Sequence, residues 1–144
     1  LLINLYNPMP PHPRDTPRPA YLSQLVAEYS SSKTPAAHRR QILANLANFA
    51  YDAINHPLLA QLGAGSIFAA ALSGSDDELV VIALDGLINL HDHPVPVEDI
   101  AGCLRRRDPD VVVRALALLY QHVEWGVISG RSHMRSRVLL SQVP

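Results

Sequence analysis

Several residue types that mark particular protein classes are scarce in this chain of 144 residues. Its one cysteine, Cys103, excludes an intrachain disulfide and a cysteine-rich zinc site. No apolar run approaches the roughly 18–20 residues of a membrane-spanning helix, and the first residues, LLINLYNP, lack the basic start of a signal peptide. Charged residues make up only 17% and hydrophobic residues 48%. This composition predicts a folded globular domain rather than a disordered chain.

Motifs for metal binding and catalysis are also missing. His91, Asp92 and His93 cluster, but alternate residues of a helix point apart and no third ligand has suitable spacing. The glycine-containing run 63–66 lacks the lysine of a phosphate-binding loop and follows a helical pattern rather than a strand. No Ser/His/Asp set or carboxylate pair lies in a context that supports catalysis. We therefore expect a protein that is not an enzyme and has no cofactor and no metal site.

Prolines and charges are distributed unevenly. Six of the twelve prolines lie in residues 7–19, and because proline fixes φ and removes a backbone donor, we expect an extended arm over 1–19. The arm is either a disordered terminus or a segment that docks along a partner. Residues 36–104 hold two arginines against eight acidic residues, whereas 105–144 hold seven arginines against three. This asymmetry predicts two kinds of partner surface.

From residue 20 onward, apolar residues recur at helical spacing. Short β-branched runs such as 80–84 lie inside longer patterns of period 3.6, so length favours helix over strand. The chain is therefore predicted to be all-α. The predicted helices cover 20–30, 36–51, 56–62, 66–73, 78–91, 97–106, 111–123 and about 131–142.

The predicted helices repeat along the chain. A shift of 41 residues aligns 42–50 with 83–91, and a third copy, 115–123, follows at an offset of about 32 with Gln121 at an asparagine position. Three of the nine pairs in the first alignment are identical: Leu43/Leu84, Leu46/Leu87 and Asn48/Asn89. A period near 40 built only from helices predicts an α-solenoid of the HEAT or armadillo type, with the leucines in its core. The glycine-containing turn before Ile67 and the ending of the middle repeat in Asn89 and Leu90 favour armadillo, so the prediction is a right-handed solenoid of about three armadillo repeats.

The run QILANLANFAYD at 41–52, together with the middle repeat at 55–90, resembles the family of armadillo-repeat-containing protein seven. The third repeat departs from the pattern, because Pro94, Val95 and Pro96 stand where its first short helix would lie. The predicted organisation is an arm at 1–19 and an armadillo domain at 20–144, with repeats at 20–52, 53–93 and 94–125 and a partial fourth at 126–144.

The resemblance implies a function. A member of this family is expected to be a nuclear, non-catalytic scaffold that binds an RRM-type protein similar to RNA-binding motif protein forty-eight. The pair would act in the spliceosome, near the capped 5′ end of a U6-type small nuclear RNA, with indirect or minor RNA contact by the scaffold. Two alternatives use the same concave groove: a regulatory subunit of an enzyme complex, and a cargo adaptor whose acidic residues Glu78, Asp85 and Asp92 read basic peptides.

Polar residues on the predicted long helices form the candidate site. In an armadillo solenoid these helices line a concave groove, and amide side chains there can donate to and accept from a bound backbone. The candidate ladder residues are Gln41, Asn45, Asn48, Asp52, Asp85, Asn89, Arg114 and Gln121. Possible contacts to RNA or an acidic partner are Arg105, Arg106, Arg107, Arg131 and Arg135.

Overall fold

A computed structural model of the chain describes the backbone of residues 17–91 and 93–128, and the side chains up to residue 124. Every regular element in this part is helical, which confirms the all-α prediction there. The helices are α1 (Arg18–Ser30), α2 (Ala36–Ala50), α3 (His56–Gln61), α4 (Ala64–Ala71), α5 (Asp77–Leu90), α6 (Val97–Cys103) and α7 (Pro109–Ile128), with a 3₁₀ turn at Ala53–Asn55. Within this part, no helix has the length and apolar character needed to cross a bilayer.

The helices α2, α5 and α7 stack side by side, with α5 in the middle. Arg40 near the start of α2 meets Asp76 at the start of α5, and Asn89 near the end of α5 meets Ala47 near the end of α2. These two helices therefore run parallel. The shorter helices α1, α4 and α6 pack on α2, α5 and α7, respectively. The arrangement is consistent with an α-solenoid, while the number of repeats and the handedness stay predictions.

The buried core contains leucines at equivalent positions of the repeat. Leu46 and Leu87 are 0% and 2% exposed, so the prediction that both are core residues is confirmed. Phe68 of α4 is fully buried against α5, and a β-carbon at Gly86 would lie only 2.5–2.7 Å from its ring atoms. Glycine at 86 therefore allows the short helix to approach the long one closely.

Helix ends differ from the predicted ones by a few residues, and side-chain chemistry explains most differences. Helix α1 begins at Arg18, inside the predicted arm, because Pro19 in the first turn has no amide hydrogen that needs a partner. Helix α4 begins at Ala64 rather than at 66, directly after Gly63, whose φ of 72° marks the turn. The remainder of the predicted arm, 1–16, and the helix predicted at 131–142 lie outside the described residues.

At two further helix ends, a charged or an amide side chain donates to a backbone carbonyl. Helix α6 stops at Cys103 instead of 106, and Arg106 donates to the carbonyl of Leu72 at 3.1 Å from the turn that follows. Asn55 stands at the N-cap position of α3, but its side-chain amide donates to the carbonyl of Phe49 at 2.8 Å instead of capping the helix.

Truncation of the core leucines is expected to destabilise the whole stack. Leu46→Ala or Leu87→Ala should lower the free energy of unfolding by about 2–5 kcal/mol, through lost burial and a residual cavity. The loss should spread to neighbouring units, because solenoid repeats stabilise one another. Urea denaturation followed by circular dichroism measures it. The control is Ile54→Ala, whose side chain is 70% exposed and should change stability by less than about 0.5 kcal/mol.

Candidate partner-binding surface

Two amides of the predicted ladder join neighbouring long helices. Asn89 donates from Nδ2 to the carbonyl of Ala47 at 3.0 Å, and Gln121 donates from Nε2 to the carbonyl of Ile88 at 3.1 Å. The two bonds are equivalent in the repeat, because residue 47 precedes Asn48 and residue 88 precedes Asn89. Asn89 was expected to face outward together with Asn48. Instead it is half-buried and holds α5 in register with α2.

Asp85 and Arg114 of the ladder bind each other. The Nε of Arg114 lies 2.8 Å from Oδ1 of Asp85, joining α7 to α5, and its Nη1 lies 3.4 Å from the Asp110 carboxylate. Burial raises the pKa of the Asp85 carboxyl, and the Arg114 guanidinium opposes that rise. The pair therefore links α7 to α5, although burial still outweighs the attraction of Arg114 for the charged carboxylate.

The ladder residues of α2 and the turn after it have different surroundings. Gln41 is 6% exposed and donates to Oδ1 of Asn45 at 3.1 Å. Asp52 is exposed and accepts the amide hydrogen of Ile54 at 3.2 Å, which caps the 3₁₀ turn. Asn48 is exposed, and its side chain reaches no carbonyl of another helix in the described part of the chain. Asn48 is thus the ladder amide that is presented to solvent.

The three arginines that follow α6 also differ in exposure and in whether they bond within the fold. Arg106 is half-buried and forms an ion pair with Asp77 at 2.6 Å, besides its bonds to the carbonyls of Leu72 and Gly74. Arg105 and Arg107 are exposed. Arg131 and Arg135 lie outside the described residues. Two arginines of this turn are therefore available to a partner.

Two of the three acidic residues expected to read basic peptides, Glu78 and Asp85, are paired within the fold. Arg40 lies 2.5 Å from Asp76 and 3.1 Å from Glu78, and its bond holds the pKa of the Asp76 carboxyl below its usual value. Asp85 is paired with Arg114, as described above, and Asp92 lies outside the described residues. These pairings weaken the cargo-adaptor alternative.

His93, which follows α5, and His122 of α7 contact other residues of the fold. The amide hydrogen of Val95 donates to Nε2 of His122 at 3.4 Å, and Nδ1 of His122 donates to the carbonyl of Leu118 at 3.1 Å. His93 packs so closely on Gly65 that a β-carbon there would lie 2.3 Å from its ring. In the part of the chain that the structure describes, no three His, Cys, Asp or Glu residues are arranged to hold a metal ion.

One group of surface residues was missed by sequence reasoning. Among the described side chains, six large hydrophobic ones are exposed: Tyr51, Ile54, Val113, Leu116, Tyr120 and Val123. The available signal was in α7, where residues 111–113 and 115–120 are all apolar and are interrupted only by Arg114. A helix that is apolar on all sides is expected to have neighbours on all sides.

The two equivalent asparagines should behave differently on substitution. Asn89→Ala should lower the free energy of unfolding by about 0.5–1.5 kcal/mol, because it removes the bond to Ala47. Asn48→Ala should change it by less than about 0.5 kcal/mol, because the side chain is exposed. Chemical denaturation of both variants measures the difference. Equal losses would show that the bond between the helices contributes nothing.

Stability is expected to fall in mild acid. Burial lowers the pKa of His93 below its ordinary value of 6.5, with a smaller contribution from His122. Between the folded and unfolded pKa values the unfolded chain binds more protons, so this part of the stability is present above about pH 6.5 and is lost below it. Thermal melts from about pH 7.5 down to about pH 5.5 should show a loss that is smaller in His93→Gln. Identical pH slopes in the two proteins would contradict the assignment.

The chain is similar to a protein whose name describes the same kind of repeat. It is 41% identical over 70 residues to Armadillo repeat-containing protein 7 from Mus musculus. The aligned part is 49% of this chain and 35% of the mouse protein, so the chain spans about a third of the length of that relative. No protein-family model matches the chain. Together with the stacked helices, this similarity supports an armadillo-type repeat scaffold.

Proposed function

We propose that the protein is a non-catalytic scaffold that binds an RRM-type RNA-binding protein in the nucleus, as part of the spliceosome. The similarity to the mouse armadillo-repeat protein over 70 residues carries the scaffold role. The run at 41–52 resembles the same family, and this resemblance supports a role in pre-mRNA splicing. In this role the scaffold braces its partner near the 5′ end of a U6-type small nuclear RNA and itself touches RNA little.

The described surface supports binding of a protein segment. The amide of Asn48 can both donate and accept, and it is exposed beside the exposed carboxylate of Asp52. Arg105 and Arg107 provide exposed positive charge elsewhere on the stack. The bond from Asn89 to the Ala47 carbonyl holds the part of α2 that carries Asn48 in place before a partner arrives. Such preorganisation lowers the entropic cost of association.

Affinity purification from nuclear extract tests the proposal. The tagged full chain should recover an RRM-type protein together with proteins of small nuclear ribonucleoproteins. Recovery of ligase or phosphatase subunits in their place would favour the alternative of a regulatory subunit. Recovery of neither group would contradict the splicing role.

The exposed amide allows a sharper test with the same partner. Asn48→Ala should weaken binding of the recovered RRM-type protein by about 0.5–1.5 kcal/mol for a neutral hydrogen bond, with the fold unchanged. Isothermal titration measures the affinity. The matched control is Gln61→Ala, an exposed amide on α3, which should bind as the wild type does. Normal binding by a well-folded Asn48→Ala protein would move the interface away from this amide.

A further inference from the structure

A pocket of about 430 Å³ lies where the end of α1, the first half of α2 and one side of α4 meet. Its lining includes the polar residues Tyr29, Arg39 and Ser66 and the apolar residues Ile67 and Ala70. None of the candidate ladder residues lines it. Pockets of this size hold a small ligand or a few side chains. A guanidinium, two hydroxyl groups and apolar surface are therefore gathered at a place that the ladder does not use.

Arg39 has no carboxylate partner in the described part of the chain. Its Nη2 donates to the carbonyl of Ser31 at 2.8 Å, and its buried Nε has no acceptor among the described residues. Glu28, the acidic residue of α1, instead accepts from Gln24 at 2.8 Å and lies 3.7 Å from His38. An arginine keeps its charge when it is half-buried, so the loss of hydration without a counter-ion is unfavourable.

The next unit shows how such an arginine is neutralised. Ser31 corresponds to Leu72 under the 41-residue shift, and each is the C-cap residue of a short helix. Arg106 donates to the Leu72 carbonyl at 3.1 Å and also forms an ion pair with Asp77 at 2.6 Å. The residue that corresponds to Asp77 in the first unit is Ala36. The first unit therefore has the bond from an arginine to the C-cap carbonyl but lacks the carboxylate.

We propose that this pocket binds an acidic segment of a partner protein through one aspartate or glutamate carboxylate on Arg39, an inference that rests on the proposed role as a protein-binding scaffold. The bound carboxylate supplies the counter-ion that Asp77 supplies to Arg106. A hydrogen bond between a guanidinium and a carboxylate is among the strong ones in proteins. The single positive charge of Arg39 matches a carboxylate better than a phosphate group, which carries nearly two negative charges.

The remaining walls of the pocket suit the residues around the carboxylate. The hydroxyls of Tyr29 and Ser66 form no hydrogen bond within the described chain, so both can donate to a bound segment. Burial raises the pKa of the Tyr29 hydroxyl, and the charge of Arg39 opposes that rise. Ile67 is half-buried and Ala70 is exposed, and both offer apolar surface to neighbours of the acidic residue. The pocket therefore fits one acidic residue between apolar ones.

Binding of a short peptide tests the pocket directly. The probe is a capped pentapeptide with a central glutamate between leucines, its control has glutamine in place of the glutamate, and nuclear magnetic resonance of the isotope-labelled full chain measures the affinity. Arg39→Gln should bind the glutamate peptide about tenfold more weakly, since a hydrogen bond to a charged group is lost. Ala70→Phe, which fills the pocket and keeps the arginine, should weaken binding by a similar factor. The matched control is Arg105→Gln, which removes an exposed arginine after α6 and should bind as the wild type does.

The outcomes also separate this inference from the splicing role. Equal affinity for the two peptides, or a folded Ala70→Phe protein that binds as the wild type does, overturns the site, and circular dichroism checks the fold. Tighter binding of inorganic phosphate than of the glutamate peptide overturns the acidic segment as the ligand. A gain of about tenfold in Asp15→Asn also overturns it, because a carboxylate of the chain itself would then be the occupant. Affinity purification that recovers no RRM-type protein refutes the splicing role, whereas the peptide result stands by itself.

Discussion

The parallel contact between neighbouring long helices is the constraint on which the rest of this structure depends. A single helical unit cannot bury its apolar side alone, and stacked units bury a continuous core. Helix α5 achieves this burial with α2 on one side and α7 on the other, so that Leu84 and Leu87 are withdrawn from solvent. Each interface also carries an ion pair and an amide-to-carbonyl bond, and these polar contacts fix the register that the apolar side chains leave open.

The contact between long helices also changes the role expected for the candidate ladder residues. Asparagine and glutamine at the repeat position look like groups for an extended ligand, yet Asn89 and Gln121 use their amides on the preceding helix. Asn48 differs because it lies on the first helix of the described stack. Among the described residues, the exposed groups include Asn48, the arginines Arg105 and Arg107 after α6, and the apolar side chains Leu116 and Tyr120 of α7.

The two ends of the described stack offer different chemistry. The α2 end presents an amide and a carboxylate, which suit the backbone of a bound segment. The α7 end presents the exposed apolar side chains Val113, Leu116, Tyr120 and Val123.

The sequence alone determined the helical class, the repeat and the core leucines. These follow from local rules: apolar residues at a period of 3.6 form one buried face, and the 41-residue shift aligns Leu46 with Leu87. Only the tertiary structure decided which polar groups bond to each other across neighbouring units. Asp85 and Arg114 lie 29 residues apart, and their pairing depends on how α7 docks on α5. The exposure of Leu116 has the same origin, because an apolar residue is buried only where a neighbouring helix covers it, and a sequence pattern does not show which helix is covered.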